Sequence, residues 1–142
     1  MSGKFLLILC KYHIPSLLCG AMIFILCVIR IPQQEEAITF PNFDKVVHFT
    51  MYFTFSLLYI SENFFSNPAK KKKPVRLYLM TILLSILIGG VIEIIQSDLT
   101  TYRSGDIIDW FFDMGGAMLA IILASIFRYI SLKRNRKVLA GT

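Results

Sequence analysis

The chain has 142 residues, of which 56% are hydrophobic, with a mean hydropathy of +0.64 and a formal net charge of +6. That is one domain's length with more apolar surface than a soluble domain of this size can bury, so an ordinary soluble protein is excluded and a membrane is the expected solvent. A nucleic-acid partner is excluded too, because most lysines and arginines flank apolar runs and do not interleave with aromatics on a polar face.

In chain order, a short apolar leader (FLLILC) is set off by Lys11, His13 and Pro15 from a first apolar segment at about 12–31. It holds Cys19 and Cys27, which read, with Cys10, as small apolar fillers: none sits at CxxC or metal-ligand spacing. No A-x-A-like cleavage site follows, so the segment reads as a retained anchor. Further apolar segments lie at about 46–65, 75–97 and 106–130, each near the roughly 20 residues that a bilayer core requires. None alternates with the period of two that a barrel strand needs, so each is a helix. Between them lie a loop with Pro32 and Pro41, the basic turn SNPAKKKKPVR and the short SDLTTYRSG loop.

The expected architecture is all-α: one four-helix membrane domain spanning 1–142. With a cytoplasmic amino terminus, 12 of the 15 basic residues fall on the cytoplasmic side, leaving out only Arg30, Lys45 and Arg103. Eight of the nine acids, all but Glu62, fall on the other. Both termini are therefore expected in the cytoplasm, with the lysine run as a topology or anionic-lipid anchor.

This topology gathers three polar groups at the outer face. Asp44, Lys45 and His48 open the second helix; Glu93 and Gln96 close the third; Arg103, Asp106, Asp109 and Asp113 open the fourth. Their three- and four-residue spacings put each group on one helical face. On the fourth helix that face continues through Gly116, Ala120 and Ala124, and on the third through Gly89 and Ser85. Small residues in such rows let membrane helices approach closely, so the carboxylates are expected to face the bundle interior. The same rows allow contacts between chains as well as within one. Asp44, four residues before His48, is expected to fix its tautomer. Trp110 and Tyr102 are expected at head-group level, and His13 at the interface without an acidic neighbour.

Three pieces, FDKVVHFTMYF at 43–53, GVIEIIQ at 90–96 and RSGDIIDWFFDMGGA at 103–117, resemble in this order the VanZ-like family of small bacterial membrane proteins. The resemblance covers about residues 43–124 and leaves out the first helix and the basic tail. It implies functional polar positions at Asp44, Lys45, His48, Glu93, Gln96, Arg103, Asp106 and Asp109. At the last polar position of the final motif the family usually has asparagine, and Asp113 stands here. The resemblance further implies a cell-envelope role in the bacterial inner membrane, related to resistance to the glycopeptide teicoplanin.

Three functions from different classes fit these residues. In the first, the outer-face pocket engages a lipid head group or an amphiphile, with Arg103 and Lys45 meeting phosphate or carboxylate. The second is a metal-assisted enzyme acting on a phosphorylated lipid, with His48 or Glu93 as general base and a divalent cation on Asp106 and Asp109. The third is a proton or cation pathway, which is disfavoured by the clustering of ionisable groups on one side. The phenylalanines and methionines carry no cofactor reading.

Overall fold

The computed structural model describes residues 8, 11–28, 43–66, 73–99 and 106–140. These residues build four helices: α1 (Ile14–Val28), α2 (Phe43–Ser66), α3 (Val75–Leu99) and α4 (Ile107–Ala140). Stretches of α3 and α4, Val75–Asp98 and Ile107–Arg134, are long and apolar enough to cross a membrane. The described part of α1 is apolar but shorter, and the expected end of its segment, 29–31, lies outside the described residues.

Local chemistry sets the helix ends. Asp106 caps α4, its Oδ1 accepting the Ile108 amide at 2.8 Å while its carbonyl accepts the Asp109 amide at 2.9 Å. At the far end α4 continues past the expected stop at Ile130, because SLKRNRKVLA contains neither proline nor glycine to break it. Pro74 precedes α3, and its carbonyl accepts the Tyr78 amide at 3.0 Å. Pro15 stands in the first turn of α1, where a missing N–H costs nothing.

Helix α2 is the hub, packed against α4 along most of its length and against α1, while α3 lies mainly on α4. The α2–α4 crossing is close enough that a Cβ on Gly116 would collide with the Phe49 carbonyl and lie 2.9 Å from the Phe53 nitrogen. Ala117 and Ala120 are fully buried beside it, so the small-residue face of α4 points inward as its spacing predicts. An apolar cluster of Ile23, Cys27, Tyr52, Phe55 and Ile92 ties α1, α2 and α3 together.

The distribution of polarity is that of a protein solvated by lipid. Ser56, Thr81, Ser85, Gln96, His48 and Asp113 are buried, while Leu79, Leu83, Leu87, Met118, Ile122 and Phe127 are exposed. Two threonines on the exposed side of α2 bond back into their own helix, Thr50 to the Val46 carbonyl at 2.7 Å and Thr54 to the Thr50 carbonyl at 2.8 Å. Such hydroxyls need no water.

One polar cluster sits at the opposite end of the bundle from Asp44 and Glu93, and it corrects the reading of His13. Glu62 of α2 is 2% exposed and caps α1 from outside that helix. It accepts the Ser16 amide at 2.8 Å, the Ser16 hydroxyl at 2.6 Å and a contact from His13 Nδ1 at 3.1 Å. His13 itself turns the chain with φ of 54°, in the left-handed region. The acid that stood alone in the charge pattern is thus the anchor of α1, satisfying donors that the start of a helix leaves open.

Candidate functional site

The site is built from α2, α3 and α4 at the end of the bundle where α4 begins. Lys45 stands near the start of α2 and donates to Asp106 Oδ2 at 2.8 Å and Asp109 Oδ1 at 3.2 Å, with Asp44 Oδ2 at 3.5 Å. One turn deeper, His48 Nδ1 meets Asp113 Oδ1 at 3.0 Å, and both side chains are 1% exposed. Glu93 of α3 accepts the Asp106 amide on Oε2 at 2.7 Å, which fixes the entry of α4 against α3.

The depth of the cluster follows from glycine. Gly89 brings α3 so near that a Cβ there would lie 2.6 Å from Asp113 Oδ2 and 3.0 Å from Trp110 Cδ1. Only a residue without a side chain leaves that carboxylate its place. Trp110 is turned into the same contact and donates from Nε1 to the Ile86 carbonyl at 3.0 Å. It joins α3 and α4.

Of the sequence-predicted residues, Asp44, Lys45, His48, Glu93, Asp106, Asp109 and Asp113 come together. Gln96 stays at this end but is spent on architecture, donating to the Cys27 carbonyl of α1 at 2.8 Å. Arg103 and Tyr102 lie outside the described residues. Asp44 is not the partner of His48: it is exposed beside Lys45, and Asp113 holds the ring. A residue not counted in the site from sequence is Tyr52, 0% exposed and one turn below His48, with its hydroxyl buried. Its spacing of four from His48 was the available signal.

Four of the five buried side-chain polar atoms without a hydrogen-bond partner among the described residues belong to this cluster: His48 Nε2, Tyr52 Oη, Glu93 Oε1 and Asp113 Oδ2. Buried polar groups are nearly always satisfied, so four such atoms in one cluster set it apart from the rest of the described bundle.

A family model described as VanZ/LLP1 matches residues 11–128. The chain belongs to the VanZ/LLP1 family. The match takes in α1, which the three motifs alone left out. No curated protein and no solved structure matches the chain. Membership of the VanZ/LLP1 family and the two helices of membrane-crossing length together point to a membrane protein.

In this cluster the Lys45–Asp106 contact is expected to give a pH dependence. The Lys45 ammonium bonded to it holds the Asp106 carboxyl below the ordinary carboxylate range. The same bond raises Lys45 above the ordinary lysine range. Because Asp106 ionises more readily in the folded chain, the bridge stabilises fully above the ordinary carboxylate pKa and is lost as pH falls through the lowered one. Lys45 extends the plateau upward, since its raised value keeps it charged until pH exceeds the ordinary lysine range. Asp106→Asn retains a good capping side chain and removes only the charge. The melting difference between wild type and this variant is expected to be level between about pH 5 and 9 and to shrink below about pH 4. An undiminished difference at about pH 3 contradicts the assignment.

Proposed function

We propose that this VanZ/LLP1 protein is a multi-pass protein of the bacterial inner membrane, with four crossing helices and both termini in the cytoplasm. Its acidic-end cluster then opens at the outer face and engages the polar head group of a lipid or amphiphile. The role belongs to the cell envelope and bears on susceptibility to glycopeptides such as teicoplanin. The observation that carries the reading is the group of orphaned polar atoms on His48, Tyr52, Glu93 and Asp113, held in a cluster that three helices fix in place.

The division of labour between the two cations rests on the contacts of Lys45. Lys45 already serves three carboxylates and so organises the cluster. Arg103, three residues before Asp106 in the sequence, is assigned the phosphate or carboxylate, for which a guanidinium fork is suited. The basic residues collected by the Lys70–Lys73 turn and the carboxy-terminal tail support the orientation.

Lipid co-purification and glycopeptide susceptibility of Arg103→Gln test this. Loss of retained lipid and a shift in susceptibility are expected. The head-group reading fails if both match wild type.

A further inference from the structure

Two trios of metal-ligating side chains share Asp109, and they differ in one respect. Asp44, Asp106 and Asp109 bring oxygens within 4.8 Å of one another, but the Lys45 ammonium sits among them at 2.8–3.5 Å and already supplies their cation. His48, Glu93 and Asp109 likewise present ligand atoms all within 4.8 Å of one another, on three different helices. This second trio has no lysine or arginine bonded to Glu93 or His48 among the described residues.

We propose that His48, Glu93 and Asp109 form a binding site for one divalent transition-metal ion, of the Zn²⁺ or Mn²⁺ kind. Ligands held about 2.0–2.2 Å from one ion lie no more than about 4.4 Å apart, so the observed spread closes onto an ion with a small adjustment. Two of the three ligand residues, His48 and Glu93, are held by one atom and keep another without a hydrogen-bond partner among the described residues. His48 is fixed through Nδ1 by Asp113 and leaves Nε2, on a ring near the Cys27 side chain, without a hydrogen-bond partner by distance and angle among the described residues. Glu93 is fixed through Oε2 by the Asp106 amide and leaves Oε1 orphaned. Asp109 gives Oδ1 to Lys45.

A carboxylate on the far ring nitrogen is how proteins orient metal-binding histidines, and here Asp113 occupies that place, as a positioning residue. One imidazole with two carboxylates suits zinc, manganese or ferrous iron better than calcium or magnesium, which favour all-oxygen shells. Charge agrees with the assignment. Five carboxylates, Asp44, Glu93, Asp106, Asp109 and Asp113, surround one lysine and one histidine. Three protein ligands leave coordination positions open, and only for their occupant, an anionic head group, does the inference rest on the head-group reading.

The test uses tag-free, full-length protein in detergent, stripped with a chelator and titrated calorimetrically with Zn²⁺, Mn²⁺ and Mg²⁺. One saturable equivalent of Zn²⁺ or Mn²⁺ is expected, with much weaker Mg²⁺ binding. Glu93→Gln should weaken the binding by at least about tenfold, and Asp113→Asn by about 10- to 100-fold through its effect on the ring. Asp98→Asn, a carboxylate lost from the same end of α3, should bind as wild type does. Melting of each metal-free variant shows that it is folded. Absence of a stoichiometric site, or equal affinity in wild type and Glu93→Gln, overturns the proposal. A second titration in micelles containing an anionic phospholipid separates the two readings. Metal binding that anionic lipid leaves unchanged upholds the ion and removes the head group.

Discussion

Gly116→Ala is expected to push α2 away from α4 and to destabilise the protein by about 1–3 kcal/mol or more. The added Cβ meets main-chain atoms of α2, the Phe49 carbonyl and the Phe53 nitrogen, and a backbone cannot turn aside as a side chain can. Gly90→Ala is the control. Its Cβ meets nothing nearer than the Trp110 Nε1 at 3.8 Å, so alanine's better helix propensity should make it neutral or stabilising by up to about 1 kcal/mol. Thermal melting of both variants decides the matter. A Gly116→Ala protein that melts with wild type means that the two helices do not cross at this position.

Asp113→Ala carries the second large effect. It strips the partner from a histidine that is 1% exposed and opens a space against Gly89, two costs that together come to about 3 kcal/mol or more. Asp113→Asn keeps the shape and a polar atom facing His48 Nδ1, and it installs the residue that the VanZ-like resemblance leads one to expect. It should therefore keep most of the stability. Equal losses in the two variants would show that the charge matters and the contact does not. No loss in Asp113→Ala would remove the pair from the core.

The inward face of α4 was legible because it depends on spacing alone. Asp109, Asp113, Ala117 and Ala120 are all within 4% exposure, and a helix of 3.6 residues per turn puts them together whatever lies opposite. The partner of His48 was not legible in the same way. Within one helix Asp44 is the reachable acid at four residues, whereas Asp113 is 65 residues away and becomes the partner only once α2 and α4 are known to cross at Gly116. Sequence spacing reads faces; it does not read which faces meet.

Glu62 marks the other limit. Charge counting treats it as one exception among nine acids, so its significance disappears in a pattern that serves for orientation. Its physical signal lay in its setting, an acid followed by Asn63 inside an apolar run, where an unpartnered carboxylate would be costly. The contact that Trp110 makes between helices was hidden for a related reason. Aromatics near a helix end are often interfacial, but the Gly89–Gly90 pair on α3 leaves room for an indole that bonds the Ile86 carbonyl.

Whether the acidic end of the bundle is a site or only a fastening is tested most directly by native mass spectrometry of the protein extracted with its own lipids, with wild type and Glu93→Gln melted in parallel. Glutamine keeps an oxygen for the Asp106 amide, so the variant is expected to melt within about 2 °C of wild type. Wild type should retain a phosphate-bearing lipid or amphiphile, and Glu93→Gln, which removes a ligand of the proposed ion bridging to that phosphate, should largely lose it. A wild-type protein that retains no such ligand, together with a variant that melts far lower, would contradict this and make the cluster a fastening.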